Sequence, residues 1–244
     1  MAYSQRRTAS RRRAPRRSST TVARTRARGV VSVNVPRSLG STTTGFPRQM
    51  MMRHRYSTVY VMDVSAATVA SQLFRANAMV EPHATGPGGV TPQYFVQMAN
   101  LYNHWVVLSS TLRYDVSVTH TESNGTGLSE SPVMFGCYIE DDLTVHPTTV
   151  MAMMQQQTGT FTYATNATPA TIKKRYSPKG TFGAPIQSNP RMSGEGTSNP
   201  LEQQFYLLWQ FPNGPPSHEV VYQVSVTIEY QALWYELKNL NSTP

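Results

Sequence analysis

Acidic side chains are absent from the first 55 of the 244 residues. This stretch carries 14 arginines and a formal charge of +14, whereas residues 56–244 carry 8 basic and 13 acidic side chains, a net charge of −5. Such a division of charge indicates nucleic acid or an anionic membrane surface as the partner. The basic segment has no apolar face to insert into lipid, so nucleic acid is the favoured partner.

Patterns that support catalysis or metal binding are also missing. The sequence has no His-x-x-x-His or Cys-x-x-Cys pair to hold zinc, no P-loop and no Gly-x-Ser-x-Gly motif. We therefore expect no enzymatic activity and no cofactor. The run Glu140, Asp141 and Asp142 is a weak cation-binding candidate. Three adjacent acids are more often a solvated edge, because calcium needs ligands that converge from several positions.

Cysteine and long apolar runs are scarce. A single cysteine, Cys137, excludes an intrachain disulfide, and its apolar neighbours (VMFGCYIE) predict a buried structural thiol rather than a nucleophile. The sequence has no apolar run of about 18 residues and no signal-peptide pattern. We therefore expect no stable insertion into a membrane.

The basic segment also lacks the apolar side chains needed for a core. Up to Arg28 the only sizeable ones are Met1, Tyr3 and Val22, too few to offset the entropy of ordering the chain. We predict that residues 1–50 form a disordered nucleic-acid-binding arm and tether, and that residues 51–244 form one domain. The predicted nucleic-acid-binding residues are Arg6, Arg7, Arg11, Arg12, Arg13, Arg16, Arg17, Arg24, Arg26, Arg28, Arg37, Arg48, Arg53 and Arg55.

Residues 56–244 have the pattern of an all-β domain. Period-two alternation places Tyr56, Tyr60 and Met62 on one face of a strand, and it also marks long strands within residues 104–120 and 219–237. Residues 132–140 are mostly apolar, as expected of a strand covered on both faces, and 204–211 form a further strand candidate. The run AATVASQLFRANAM fits either a strand or a short helix, and residues 177–203 read as a long surface loop. Six to nine strands with few helices predict an antiparallel sandwich or jelly roll.

The body contains one basic cluster, within IKKRYSPK. It comprises Lys173, Lys174, Arg175 and Lys179. It could contact nucleic acid or an acidic surface on another copy of the chain. It could equally be a solvated strand edge that lysines protect from unwanted pairing.

Several segments, in order along the chain, resemble those of the capsid proteins of circoviruses, which are small viruses with circular single-stranded DNA. The first is the arginine-rich arm with its RR and RRR clusters. It is followed by YNHWVVLSSTLRYDVSV (102–118), GCYIEDDL (136–143), TIKKRYSPK (171–179) and VSVTIEYQALWYELKNLNSTP (224–244). The resemblance covers nearly the whole chain. Residues 184–203 depart from the family pattern, being longer or differently composed.

The resemblance implies a single eight-stranded antiparallel jelly roll, 60 copies of which close into a T=1 icosahedral shell around a circular single-stranded DNA genome. Arginine-rich runs also serve as nuclear-import signals, so we expect the arm to double as a nuclear localisation signal read by a host import receptor. The expected locations are the virion and, before assembly, the host nucleus and cytoplasm, with an unknown cell-surface receptor. Two alternatives stay open: a monomeric β-sandwich that binds nucleic acid, and the coat protein of a small RNA virus. Phosphate contacts do not distinguish DNA from RNA.

Overall fold

The computed structural model describes residues 46–65, 69–86, 88, 90–123, 132–142, 144, 147–165, 167–182, 189–212 and 218–238. All of them belong to one compact unit, Val35–Pro244, and the other unit, Met1–Asn34, lies outside the described residues. The arginines of the predicted arm up to Arg37 are also outside them. The disorder of the arm and the domain boundary after residue 50 therefore stay predictions.

Strands dominate the described residues. They are β1 (Gln49–Ser65), β2 (Ala70–Arg75), β3 (Tyr102–Ser123), β4 (Val133–Glu140), β5 (Thr160–Ala164), β6 (Ala170–Tyr176), β7 (Ser193–Glu195), β8 (Phe205–Pro212) and β9 (His218–Leu237). Three short helices accompany them: α1 (Phe95–Leu101), α2 (Val150–Met154) and α3 (Pro178–Phe182). No helix within the described ranges is long and apolar enough to cross a membrane.

The strands form two antiparallel sheets that confirm the predicted jelly roll. Sheet A has the order β1-β9-β3-β6, with β7 paired to one end of β3, and sheet B has the order β2-β8-β4-β5. Strands β1, β2, β3 and β4 therefore lie beside β9, β8, β6 and β5, respectively. A chain rolled up in this way, with two of its four strand pairs in each sheet, has jelly-roll topology.

One predicted loop contains regular structure. Residues 177–203 include α3, a 3₁₀ turn at Pro190–Met192 and strand β7. Strand β7 can lie against β3 because Gly194 has no side chain, and a Cβ there would come within 2.2 Å of the Trp105 indole. The glycine- and proline-rich composition that predicted a loop therefore also permits this close approach. The ambiguous run AATVASQLFRANAM contains strand β2.

The main core lies between the two sheets. Alternate residues of β1 and β9 point into it: Tyr56, Tyr222 and Trp234 are buried, whereas Val59 and Val61 are exposed. This agrees with the alternation read from the sequence. Cys137 is fully buried in the same core, and burial raises the pKa of its thiol to about 12, as expected for a structural cysteine.

The core also holds a buried histidine, His54, which is only 2% exposed. Its Nε2 accepts a hydrogen bond from Nε1 of Trp234 at 2.9 Å, so Nδ1 carries the proton and donates to the carbonyl oxygen of Gln93 at 3.0 Å. Removal from water lowers the pKa of His54, and the hydrogen bond to Gln93 only partly opposes this effect. A second proton on the ring would point at the indole N–H, so the fold requires neutral His54.

We expect acid to destabilise the protein through this histidine. Because the folded-state pKa is lowered, the unfolded chain binds more protons as the pH falls below 6.5, the ordinary value. The free energy of unfolding then decreases by up to about 1.4 kcal/mol per pH unit, down to the folded-state pKa, and is unaffected by this group at higher pH. Urea unfolding of wild type and His54→Gln as a function of pH measures the effect. His83 also has a lowered pKa, so only the difference between the two proteins is assigned to His54. Parallel pH profiles would contradict the assignment.

Candidate nucleic-acid interface

The outer face of sheet A brings together basic residues that are far apart in the sequence. On β1, His54 and Tyr56 point into the core, so Arg53 and Arg55 point outward and are exposed. On β6, Ile172 is buried, and the neighbouring Lys173 and Arg175 are exposed. The pleat of the two outer strands therefore presents four cations on one surface.

The strand register arranges these side chains in two neighbouring rows across sheet A. Running from β1 through β9 and β3 to β6, the first row is Arg55, Glu229, Thr111 and Arg175. In the same direction, the second row is Ser57, Thr227, Arg113 and Lys173. We call the outward side chains of these two rows, together with Arg53 and Asp115, the basic face. It carries five cations and two carboxylates, a net charge of +3.

Two cations of the basic face lie directly opposite each other. Arg113 of β3 is the register partner of Lys173 of β6. Directly opposed side chains in an antiparallel pair have Cβ atoms about 4.5–5.5 Å apart, and like charges at this distance destabilise the sheet. Part of the repulsion is relieved by Asp115, which accepts hydrogen bonds from Nε of Arg113 at 2.9 and 3.1 Å. The carboxylate also accepts from the hydroxyl of Thr171 and raises the pKa of Arg113.

The basic cluster predicted on β6 is divided by the strand. Lys174 lies opposite buried Leu112, on the face away from Lys173 and Arg175, and its ammonium donates to the carbonyl oxygen of Thr158. Lys179 is exposed on α3, beyond the end of the strand. Only Lys173 and Arg175 therefore belong to the basic face.

The structure adds Arg113, which the sequence analysis did not single out. Its outward direction could have been read from the buried alternation of Leu112 and Tyr114. Its proximity to Lys173 could not, because that depends on the register between β3 and β6. Of the arginines predicted to bind nucleic acid, Arg53 and Arg55 lie within a strand of the fold, and exposed Arg48 immediately precedes it.

The acidic run forms local turns rather than a converging set of ligands. One carboxylate oxygen of Glu140 accepts from the backbone N–H groups of Asp141 and Asp142 at 3.0 and 3.4 Å. A carboxylate oxygen of Asp142 accepts from the N–H and hydroxyl of Thr144 at 2.7 and 2.9 Å. Within the part of the chain that the structure describes, no three His, Cys, Asp or Glu side chains are placed to hold a metal ion.

No protein-family model matches the chain. A search of curated proteins also returns no match. Among solved structures, the chain is similar in fold to proteins of viruses.

One such structure is a 60-mer BFDV capsid protein, which is 8% identical with a TM-score of 0.39 over 82% of this chain and 100% of that chain. Another is from Desmodium yellow mottle tymovirus, 12% identical with a TM-score of 0.38 over 84% of this chain and 98% of that one. A third is from turnip yellow mosaic virus, 14% identical with a TM-score of 0.36 over 84% and 91% of the two chains. These likenesses concern fold class only.

Proposed function

We propose that this chain is a viral coat protein that self-assembles and packages a circular single-stranded DNA genome. The observation that carries the proposal is the joining of a segment of charge +14 to a jelly-roll body. In the proposed particle, 60 copies form a T=1 shell, and the arginine-rich segment also serves as a nuclear localisation signal before assembly. The chain has no enzymatic role in this proposal.

The chemistry of the basic segment supports binding to a polynucleotide. Arginine stays charged at every physiological pH and can donate two parallel hydrogen bonds to one phosphate. Each neutralised phosphate releases condensed counterions, which provides affinity without reading sequence. The arginine clusters contain no aromatic residue that would stack on bases. A packaging protein needs this kind of sequence-independent affinity.

Self-assembly is supported by the outer face of sheet B, which differs sharply from the basic face. One row of its register contains Trp209, Gly136 and Phe161, and the next contains Phe211, Met134 and Tyr163. Helix α2 and its buried Met153 pack on the neighbouring part of this face. The rows on β5 stay open to solvent, with Phe161 41% and Tyr163 50% exposed. Exposed aromatic patches of this kind mark protein interfaces.

We assign a second copy of the chain as the partner of this aromatic patch. The two rows on sheet B carry no charged side chain, so neither copy loses the hydration of a charge when the patch is covered. The basic face of sheet A, with its net charge of +3, would instead repel its counterpart on another copy. Assembly through the aromatic patch also leaves the basic face available to nucleic acid.

We expect Phe161→Ser/Tyr163→Ser to reduce particle formation at least tenfold at equal protein concentration. Aromatic side chains are the kind of interface residue whose loss costs most in binding. Negative-stain microscopy and sedimentation velocity measure the fraction of protein in closed particles. The matched control is Val59→Ser/Val61→Ser, which removes two still more exposed apolar side chains (57% and 66%) from β1 of the other sheet.

Each outcome of this experiment decides one part of the proposal. If the aromatic variant forms particles to the same extent as wild type, the aromatic patch is not an assembly interface. If wild-type protein stays monomeric in the presence of nucleic acid at all salt concentrations, the chain is a monomeric nucleic-acid-binding protein and not a coat protein. Digestion of the particle contents by ribonuclease rather than deoxyribonuclease, in a host offering both, would favour the coat of an RNA virus.

A further inference from the structure

We infer that the basic face of sheet A is a second binding site for single-stranded nucleic acid, built by the folded body and separate from the arginine clusters of the arm. The inference rests on the proposed function and extends it. In this view the body does more than close the shell, because it also contacts the packaged strand directly. The five cations that define the site are Arg53, Arg55, Arg113, Lys173 and Arg175.

The dimensions of the face suit an extended polyanion that crosses the strands. Neighbouring strands lie about 4.8 Å apart, so the three steps from β1 to β6 span about 14 Å. Arg55 and Arg175 stand at the two ends of one row, and Arg113 and Lys173 stand together in the next. A polynucleotide that crosses the sheet therefore meets Arg53 and Arg55 near the first edge and a cluster of three cations near the second, with the Glu229 carboxylate between them.

The middle of the face offers hydroxyl groups beside one exposed carboxylate, that of Glu229 on β9. Ser57 and Thr227 lie on neighbouring strands, and their hydroxyl oxygens are 3.1 Å apart in an exposed hydrogen bond. Thr111 is exposed beside them in the first row. Hydroxyl groups of this kind donate to phosphate and sugar oxygens, and such contacts position a polynucleotide without reading its sequence.

The opposed pair Arg113 and Lys173 gives the face a specific reason to bind an anion. Their mutual repulsion is only partly relieved in the isolated body, because the Asp115 carboxylate accepts from Nε of Arg113 and from the Thr171 hydroxyl, and not from Lys173. The two terminal nitrogens of the Arg113 guanidinium are not used by that pair, so they can donate to a phosphate. A phosphate placed between Arg113 and Lys173 would interact favourably with both, so the two cations would bind it together instead of repelling each other.

Single-stranded nucleic acid fits this face better than a sulfated polysaccharide does, because of chain continuity. Strand β1, which carries Arg53 and Arg55, continues directly towards the N-terminal basic segment through exposed Arg48. A polynucleotide held by that segment is thereby kept at high local concentration near β1. The two rows contain no aromatic side chain, so the site should show no base preference.

The test compares two double variants of the full chain, each of which removes one lysine charge and one arginine charge. Lys173→Gln/Arg175→Gln removes two cations of the basic face. Lys174→Gln/Arg191→Gln removes one lysine and one arginine elsewhere, where Lys174 points to the opposite side of β6 and Arg191 pairs with Glu202 at 3.2 Å. Binding of labelled oligodeoxythymidine is measured by fluorescence anisotropy over a series of salt concentrations, and thermal unfolding checks that each variant is folded.

The expected result is a change in salt dependence for the face variant only. Each lost phosphate contact on a single strand reduces the slope of log Kobs against log salt concentration by about 0.7, so the face variant should lose about 1.4. The control variant should keep the wild-type slope. Addition of Arg113→Gln to the face variant should reduce the slope by about a further 0.7, since the phosphate contact of Arg113 is then lost as well.

Three outcomes would overturn the inference. The first is equal slopes for the face and control variants. The second is loss of heparin binding with unchanged oligonucleotide binding, which would make the face a polysaccharide site. The third is a marked preference among homopolymers that the face variant abolishes.

A separate variant, Arg11→Gln/Arg12→Gln/Arg13→Gln, distinguishes failure of this inference from failure of the proposed function. If it lowers the slope while the face variant does not, only the inference fails, and if neither does, packaging through the arm fails as well.

Discussion

Deletion of residues 2–28 is expected to reduce the affinity for single-stranded DNA by several orders of magnitude at low salt and to flatten its salt dependence. The deletion removes ten arginines. At about 0.7 per neutralised phosphate, the slope of log Kobs against log salt concentration decreases by up to about 7. The body should remain folded, because every described strand begins at or after Gln49. Fluorescence anisotropy gives the slope, and circular dichroism gives the fold.

A charge-preserving control separates arginine count from chain length. Replacement of the same ten arginines by lysine keeps the charge but loses the forked hydrogen bonds, so the slope should stay near that of wild type with somewhat weaker affinity. Replacement by glutamine should reproduce the deletion. Undiminished, salt-sensitive binding by the deleted protein would refute the role proposed for the arm and would leave the basic face as the main binding site.

Substitution of Gly136 by alanine is expected to destabilise the body by about 3 kcal/mol, the upper end of the usual cost of overpacking. A Cβ at this position would come within 2.4 Å of two carbons of the Trp209 indole. Neither group can withdraw easily, because Gly136 lies on β4 between β5 and β8 and Trp209 is buried in the cluster that includes Met153 of α2. Urea unfolding of the purified protein measures the change.

Two further variants test the cause of this destabilisation. Gly88→Ala is a suitable control, since the nearest atom to its new Cβ is the flexible end of the Glu81 side chain at 3.1 Å, and we expect a change within about 0.5 kcal/mol. Addition of Trp209→Leu to Gly136→Ala removes the clash, so the double variant should be more stable than the sum of the two single effects. Strict additivity would show that the indole is not the cause.

The strands were predictable because their chemistry is local. Alternation of Tyr56 with exposed Val59 and Val61, and the long run of β-branched and aromatic residues on β9, depend only on the side chains within each strand. The same patterns, with few helices, sufficed to predict an all-β jelly roll. The burial of Cys137 followed in the same way from its apolar neighbours.

The basic face could not be predicted, because it depends on pairing between distant strands. Alternation along a strand puts Lys173 and Lys174 on opposite sides, but nothing in IKKRYSPK shows that Lys173 lies beside Arg113 until the register with β3 is known. The two outer strands of the face, with Arg55 and Arg175, lie 120 residues apart along the chain. Register is a tertiary property, set by which side chains are buried on each strand. Strand β7 was missed for the same reason, since its partner on β3 is far away in sequence.

The position of the last two strands also decides when the basic face comes into existence. Strand β9 lies inside sheet A, between β1 and β3, and strand β8 lies inside sheet B, between β2 and β4. During synthesis, β3 can pair with β6 and β4 with β5 as soon as they leave the ribosome, whereas β1 and β2 must wait for partners made more than 100 residues later. Arg55 is therefore joined to the sheet that carries Arg175 only when β9 has been made. A nascent chain carries the proposed arm early but the complete basic face only at the end of translation, so the complete surface that we propose for nucleic acid is confined to finished molecules.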